Sequence, residues 1–447
     1  MRLILAALLI GLTGTAGAAT APAAAAPAAA SAGGPARVAA AVAAPDRYGA
    51  EAAVKILRAG GNAVDAAIAL AFTLAVTYPE AGNLGGGGFA TLWVDGKPWF
   101  LDYRETAPRS ATANMYLDRA GNVIADASTV GAGAAGVPGT VAGLWELHRR
   151  FGRLPWATDL EPAIRYAHEG FRVSPMLVAV RDGRARELHG RTNFLNYFGA
   201  LAAEAIFRQP ELEQTLRRIA AGGPQGFYAG RTAELLVAEM TRNHGHITSA
   251  DLAAYKPVWR EPLQGDWAGY HVITAPLPSS GGIALLSLLT MKSDLADAFA
   301  GVPLNSAQYV HLVAEMEKRV FADRAAYLGD PDFTHAPVAQ LLEPAYLARR
   351  AREVSLGAPT PTPRCSQASR RITTPRTSRS STAPATPSPT RTPSTTTSAR
   401  AKWSRGPASF SITKWTTSRP SPARRTSSAS WGAMPTPSNP ASGRSPP

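Results

Sequence analysis

From residue 357 to residue 447 the chain carries fourteen Lys and Arg and not one Asp or Glu. The whole chain holds 46 basic and 32 acidic residues, so ahead of residue 357 the basic and acidic counts balance and the entire +14 charge sits behind it. More than half of this tail is Ser, Thr or Pro. It has no apolar periodicity that would mark a buried face, and such a composition cannot bury enough surface to offset chain entropy. Residues 357–447 therefore read as a basic, disordered tail, and any fold belongs to what precedes it.

Residues 36–356 form a body of roughly 320 residues, room for one large or two small domains at about 100–200 residues each. With 45 % hydrophobic residues overall, a sizeable core is affordable. Net positive charge ordinarily suggests nucleic acid or an anionic membrane. Here the body is neutral and holds no nucleic-acid motif, so neither partner is expected. Ahead of the body, Arg2, the apolar run 3–12 and Ala16-Gly17-Ala18 read as a secretory signal over residues 1–18. Its apolar run falls short of the ~20 residues a membrane span needs. Residues 19–35, nearly all Ala and Pro, read as a linker. The chain's one cysteine, Cys365, lies in the tail, so the body has no disulfide framework, thiol nucleophile or thiolate metal site.

Within the body, residues 48–59 carry apolar residues at helical spacing and stop at Gly60-Gly61. Asn62 is placed to cap a second helix over 63–78, apolar nearly all round and ended by Pro79; such a helix is normally buried. The glycine run 85–88 follows. Two β-rich runs, 89–94 and 99–103, then flank Asp95-Gly96, a hairpin signal. The rest is largely helical, most clearly over 140–151 and 306–324, with a Pro/Gly-punctuated stretch at 270–283 that opens as a strand.

The glycine run lacks the ending of a phosphate-binding loop and follows a helix, so close backbone packing is the better reading. Ser279-Ser280-Gly281-Gly282 is not a nucleophile elbow, and no acid and base accompany it. His244-Gly245-His246 lacks a third metal ligand and reads as a surface turn. Arg104 stands at a strand end beside the glycine loop. It is either a solvated surface charge or one half of a bidentate pair with a substrate carboxylate.

Several runs together resemble the gamma-glutamyltranspeptidase (glutathione hydrolase) family. They are Gly60-Gly61-Asn62-Ala63-Val64-Asp65-Ala66, Gly85-Gly86-Gly87-Gly88-Phe89, Arg104-Glu105-Thr106-Ala107-Pro108 and Val137-Pro138-Gly139-Thr140-Val141-Ala142-Gly143. Pro278-Ser279-Ser280-Gly281-Gly282, Ala322-Asp323-Arg324 and Gly329-Asp330-Pro331-Asp332-Phe333 continue the series in family order. The resemblance covers residues 36–356, the family's large subunit. It implies an α+β fold, the αββα sandwich of N-terminal-nucleophile hydrolases, made as a precursor that cleaves itself before a Thr. The freed Thr uses its own α-amine as base and takes a gamma-glutamyl group from a donor such as glutathione as an ester. Water or an amino acid then receives that group. Arg104 would hold the donor's α-carboxylate, no metal or cofactor is implied, and the signal points to a periplasmic or secreted protein.

In the family the small subunit opens on a Thr-Thr-His-(Tyr/Phe)-Ser-Val-Val-Asp segment. Here the expected place holds Arg371-Ile372-Thr373-Thr374-Pro375-Arg376-Thr377-Ser378-Arg379-Ser380-Ser381-Thr382. Suppose the tail is read one base out of frame, so that each true codon joins the last base of one codon to the first two of the next. Residues 374–382 then permit Thr-Thr-His-Phe-Ser-Val-Val-Asp, and 382–399, 409–418 and 433–445 permit further small-subunit runs. The tail is thus read as a frameshift product, and its lack of acids follows from GC-rich codons read off-frame. No catalytic nucleophile is assigned: Pro375 follows Thr373 and Thr374, and the downstream strands are lost, so the αββα sandwich is expected to be incomplete and the two self-cleaved subunits are not expected to form. Two alternatives stand beside this reading: a beta-lactam side-chain acylase of the same fold, and a non-catalytic binding protein with a basic tail.

Overall fold

The computed structural model describes residues 40–362 and residue 365. The expected signal (1–18), linker (19–35) and nearly all of the basic tail lie outside the described residues. Helix α1 (Arg47–Arg58) starts where Asp46 Oδ1 accepts the Gly49 N–H at 2.7 Å, and Gly60, at φ 91°, turns the chain out of it. Asn62 then caps α2 (Ala63–Thr77) reciprocally. Its Oδ1 accepts the Val64 and Asp65 N–H groups, and Asp65 Oδ2 accepts the Asn62 N–H at 2.8 Å. The other Asp46 oxygen accepts the Thr77 hydroxyl at 2.5 Å, tying the start of α1 to the end of α2.

An apolar helix without a polar face has to be surrounded, and α2 is. Ile68, Ala69, Phe72 and Val76 expose nothing, and the helix packs on α1, α3 (Thr140–Phe151) and α4 (Trp156–Glu169). Phe72 meets Trp156 edge-on, with ring centres 5.5 Å apart. These elements hold the main core. A second core lies among the helices Gly281–Asp294, Ala307–Tyr327 and Pro344–Arg352, built on Met291, Leu312, Met316, Val320 and Leu347.

Strands are few and antiparallel. β1 (Phe89–Val94) pairs with β2 (Lys97–Asp102) across Asp95 and Gly96, at φ 51° and 74°. Two successive left-handed residues make the hairpin turn whose twist matches its strands. A third strand, Val258–Arg260, adds to β2 with Phe100 opposite Arg260. Two separate two-stranded ladders join Phe171–Arg172 to Ile206–Phe207 and Leu263–Trp267 to Tyr270–Thr274. The helix expected over 306–324 spans Ala307–Tyr327, with Ser306 as its cap.

The second core carries buried charge. Glu315, Arg319 and Arg350 are each 1 % exposed, a burial that charged side chains tolerate only when paired. Arg319 donates to Glu315 Oε2 at 2.9 Å and to the Glu353 carbonyl, while Arg350 pairs with Asp323 at 3.3 Å and Glu353 at 2.7 Å. The chain just past residue 357 joins this network. The Thr360 N–H donates to Glu315 Oε1 at 2.9 Å, and the carbonyl of buried Cys365 accepts from Arg350 at 3.4 Å.

Candidate active site

Arg104 lies two residues beyond the end of β2, in an extended segment clamped from both sides. On one side Tyr103 and Gly88 exchange backbone hydrogen bonds at 3.0 and 3.2 Å, carrying the hairpin ladder into the glycine run. On the other, Thr106 and Val137 exchange bonds at 3.2 and 2.8 Å. The Gly139 and Thr140 N–H groups both donate to the Gly86 carbonyl, at 2.7 and 3.0 Å, closing the clamp. Glycine is required where these segments meet. A Cβ on Gly87 would lie 2.4 Å from the Tyr103 carbonyl oxygen and 2.8 Å from Arg104 Cα. One on Gly139 would lie 2.0 Å from that carbonyl and 2.1 Å from the Tyr255 hydroxyl. Three of the runs singled out in the sequence, around residues 85–89, 104–108 and 137–143, thus form one piece of backbone packing.

The main chain of Arg104 is fully engaged. Its N–H donates to Asp102 Oδ1 at 3.1 Å, and its carbonyl accepts the Tyr255 hydroxyl at 2.7 Å. Its guanidinium is not: among the described residues it makes no hydrogen bond or ion pair, and it stands 5.7 Å from the centre of the Phe89 ring, half-buried. Among the described residues this planar five-donor cation has no carboxylate to neutralise it.

The support behind Arg104 is a ladder of charge and phenol that sequence reading did not find. Asp102 Oδ2 accepts Arg260 Nε at 2.8 Å, and Arg260 grips Asp332 with two further bonds of 2.9 and 2.8 Å. Asp332, then Asp102, raise the Arg260 guanidinium above its ordinary range, and Arg260 in turn lowers the Asp332 carboxyl. Arg260 so links the Arg104 run to the Gly329–Asp332 run through a residue of neither. Tyr255 stacks parallel on Tyr228, whose hydroxyl donates to the Pro138 carbonyl at 2.9 Å. Burial raises the pKa of both phenols and pushes that of Tyr103 up to about 12, so all three stay neutral at physiological pH, with Tyr228 and Tyr255 as donors.

The two motifs set aside on sequence grounds take structural places. Ser280 precedes the helix Gly281–Asp294 without a side-chain capping bond, and its hydroxyl oxygen accepts Arg324 Nε at 2.9 Å. A hydroxyl partnered by a cation is not activated as a nucleophile. His244 takes a left-handed turn, φ 56°, after the helix Gly230–Arg242.

Comparison with known proteins follows the same residues. The gamma-glutamyltranspeptidase family model matches residues 49–398, running beyond the compositional break at 357. The glutathione hydrolase proenzyme of Pseudomonas aeruginosa is 62 % identical over 322 residues, covering 72 % of this chain and 58 % of that protein. The acylase ACY 1 proenzyme of Pseudomonas sp. strain V22 is 37 % identical over 316 residues, covering 68 % of this chain and 56 % of its own length. The chain thus spans somewhat over half the length of these curated relatives. Among solved structures, the gamma-glutamyltranspeptidase from Pseudomonas nitroreducens complexed with L-DON superposes with a TM-score of 0.72 at 58 % identity, covering 74 % of this chain and 98 % of that one. The fold is the α+β fold of the N-terminal-nucleophile hydrolases to which these structures belong. The chain belongs to the gamma-glutamyltranspeptidase family.

Proposed function

We propose that residues 36–356 are the large-subunit portion of a periplasmic or secreted gamma-glutamyltransferase/glutathione hydrolase, and that Arg104 holds the α-carboxylate of its gamma-glutamyl donor. The observation that carries this reading is the unengaged guanidinium of Arg104 on a fully bonded main chain. The donor, glutathione or another gamma-glutamyl amide, would be anchored there while a Thr nucleophile attacks the gamma-carbonyl, and water or an amino acid would then take the acyl group. The far lower identity to the acylase, 37 % against 62 %, favours a gamma-glutamyl over a beta-lactam side-chain substrate. A purely binding role leaves the family's reaction unused. Among the described residues no helix is long and apolar enough to cross a membrane.

The nucleophile is the part this chain lacks in its given frame. Residues 371–382 hold no Thr-Thr-His segment, and the off-frame reading permits one. We therefore take the given chain to be inactive and unprocessed. The test of the Arg104 role is kinetic. In a gene with the frame restored between codons 357 and 375, Arg104→Ala should raise KM for glutathione by about 10- to 100-fold, the worth of a charge-assisted contact. Self-cleavage should be untouched, because the maturing peptide presents no donor carboxylate. A wild-type KM in that variant would remove Arg104 from donor binding.

A further inference from the structure

Three side chains with no part in the Arg104 site meet between helices of the main core: Asp65 on α2, His148 on α3 and Asp159 on α4. Each offers a ligand atom, and the three atoms lie within 4.8 Å of one another. Asp65 and Asp159 have no exposed surface. Asp65 is anchored, its Oδ2 accepting the Asn62 N–H at 2.8 Å and its Oδ1 the Arg153 N–H at 2.9 Å. Asp159 is not: both its oxygens are buried and neither has a hydrogen-bond donor in the protein. Buried carboxylates are ordinarily paired, hydrogen-bonded or bound to a metal.

The surroundings fix the geometry. The His148 ring packs between Trp145 and Trp156, with ring centres 5.8 and 5.2 Å away. Its Nε2 lies 3.9 Å from Asp159 Oδ2, within the span of two ligands each about 2.1 Å from one ion. Nε2 also donates to the Leu154 carbonyl at 2.8 Å. On coordination His148 shifts to the tautomer protonated at Nδ1, the ion takes the place of the Nε2 proton, and the carbonyl becomes available as a fourth ligand.

From this geometry we infer that Asp65, His148 and Asp159 bind a divalent transition-metal ion that cross-links α2, α3 and α4. An imidazole with two carboxylates suits Zn²⁺ or Mn²⁺ better than Mg²⁺ or Ca²⁺, which prefer all-oxygen sites. The site is structural. It is closed off by indole rings and shares no residue with the Arg104 clamp, so it stands whether or not the donor reading holds.

The competing occupant is a proton, since burial, and then the neighbouring Asp65, push the Asp159 carboxyl up to about 8. The full-length chain, stripped with a chelator, is titrated with Zn²⁺ by calorimetry, with Mg²⁺ as the control, and with Co²⁺ for its visible spectrum. We expect about one Zn²⁺ per chain, a Tm that rises with Zn²⁺ but not with Mg²⁺, and Co²⁺ bands of low coordination number. Asp159→Asn, nearly isosteric, should weaken Zn²⁺ binding by at least about tenfold and abolish the Tm response. His148→Gln, judged by the Co²⁺ spectrum, should lose the nitrogen ligand, which separates lost coordination from lost folding. The inference is overturned if wild type shows no saturable Zn²⁺ binding, if Asp159→Asn binds Zn²⁺ as wild type does, or if the Co²⁺ spectrum is indifferent to His148.

Discussion

Arg104→Lys keeps the charge but exchanges a planar fork for a single point donor, so in the restored-frame enzyme it should recover only part of the affinity that Arg104→Ala loses. Initial-rate kinetics with glutathione should rank KM as wild type below Lys below Ala; Lys equal to wild type would mean that charge alone is read. Behind Arg104, Tyr255→Phe removes the hydroxyl that satisfies the Arg104 carbonyl. The loss of a buried hydrogen bond with one partner left behind costs about 1–3 kcal/mol. Chemical denaturation of the given chain should show that loss, and unchanged stability would place water on the freed carbonyl. Neither Tyr255 nor Arg260 announces itself in the sequence, because each acts on a segment more than a hundred residues away, and only folding brings them to it.

Between elements, the decisive contacts are of two kinds, backbone against backbone at the clamp and charge against charge in the second core. Gly139→Ala forces a methyl into the Tyr103 carbonyl and the Tyr255 hydroxyl. Overpacking of this kind typically costs about 1–3 kcal/mol, so Tm should fall measurably, whereas an unchanged Tm would mean that the clamp yields. In the second core, desolvation raises the Glu315 carboxyl, but hydrogen bonds from Lys318, Thr360 and Arg319 outweigh it and hold the group at about 2. A depressed carboxylate contributes stability above its ordinary value near 4.5 and loses it as pH falls toward 2. Glu315→Gln should therefore be less stable than wild type at neutral pH, and the difference should shrink through that acid window in pH-dependent melts. A gap that persists at pH 2 would assign the effect to packing. The element boundaries themselves were well marked in sequence. Gly60-Gly61 and Asn62 divide α1 from α2, Asp95-Gly96 turns the hairpin, and Ser306 starts its helix, because caps and turns are local chemistry. The Asp65–His148–Asp159 cluster was not, since its members lie on three helices and share no motif spacing.

At the scale of the whole molecule, composition changes at residue 357, and the chain spans somewhat over half the length of its curated relatives. The body folds around its own hydrophobic cores, and on the proposed reading the nucleophile that would act on the donor lies in another reading frame. Expression of the given chain beside its frame-restored counterpart tests this most directly, with a denaturing gel for self-cleavage and a gamma-glutamyl anilide for activity. The account predicts one full-length band and no hydrolysis from the given chain, and two subunit bands with hydrolysis from the restored one. Self-cleavage and anilide hydrolysis by the given chain, or a restored chain that stays whole and inert, would contradict it.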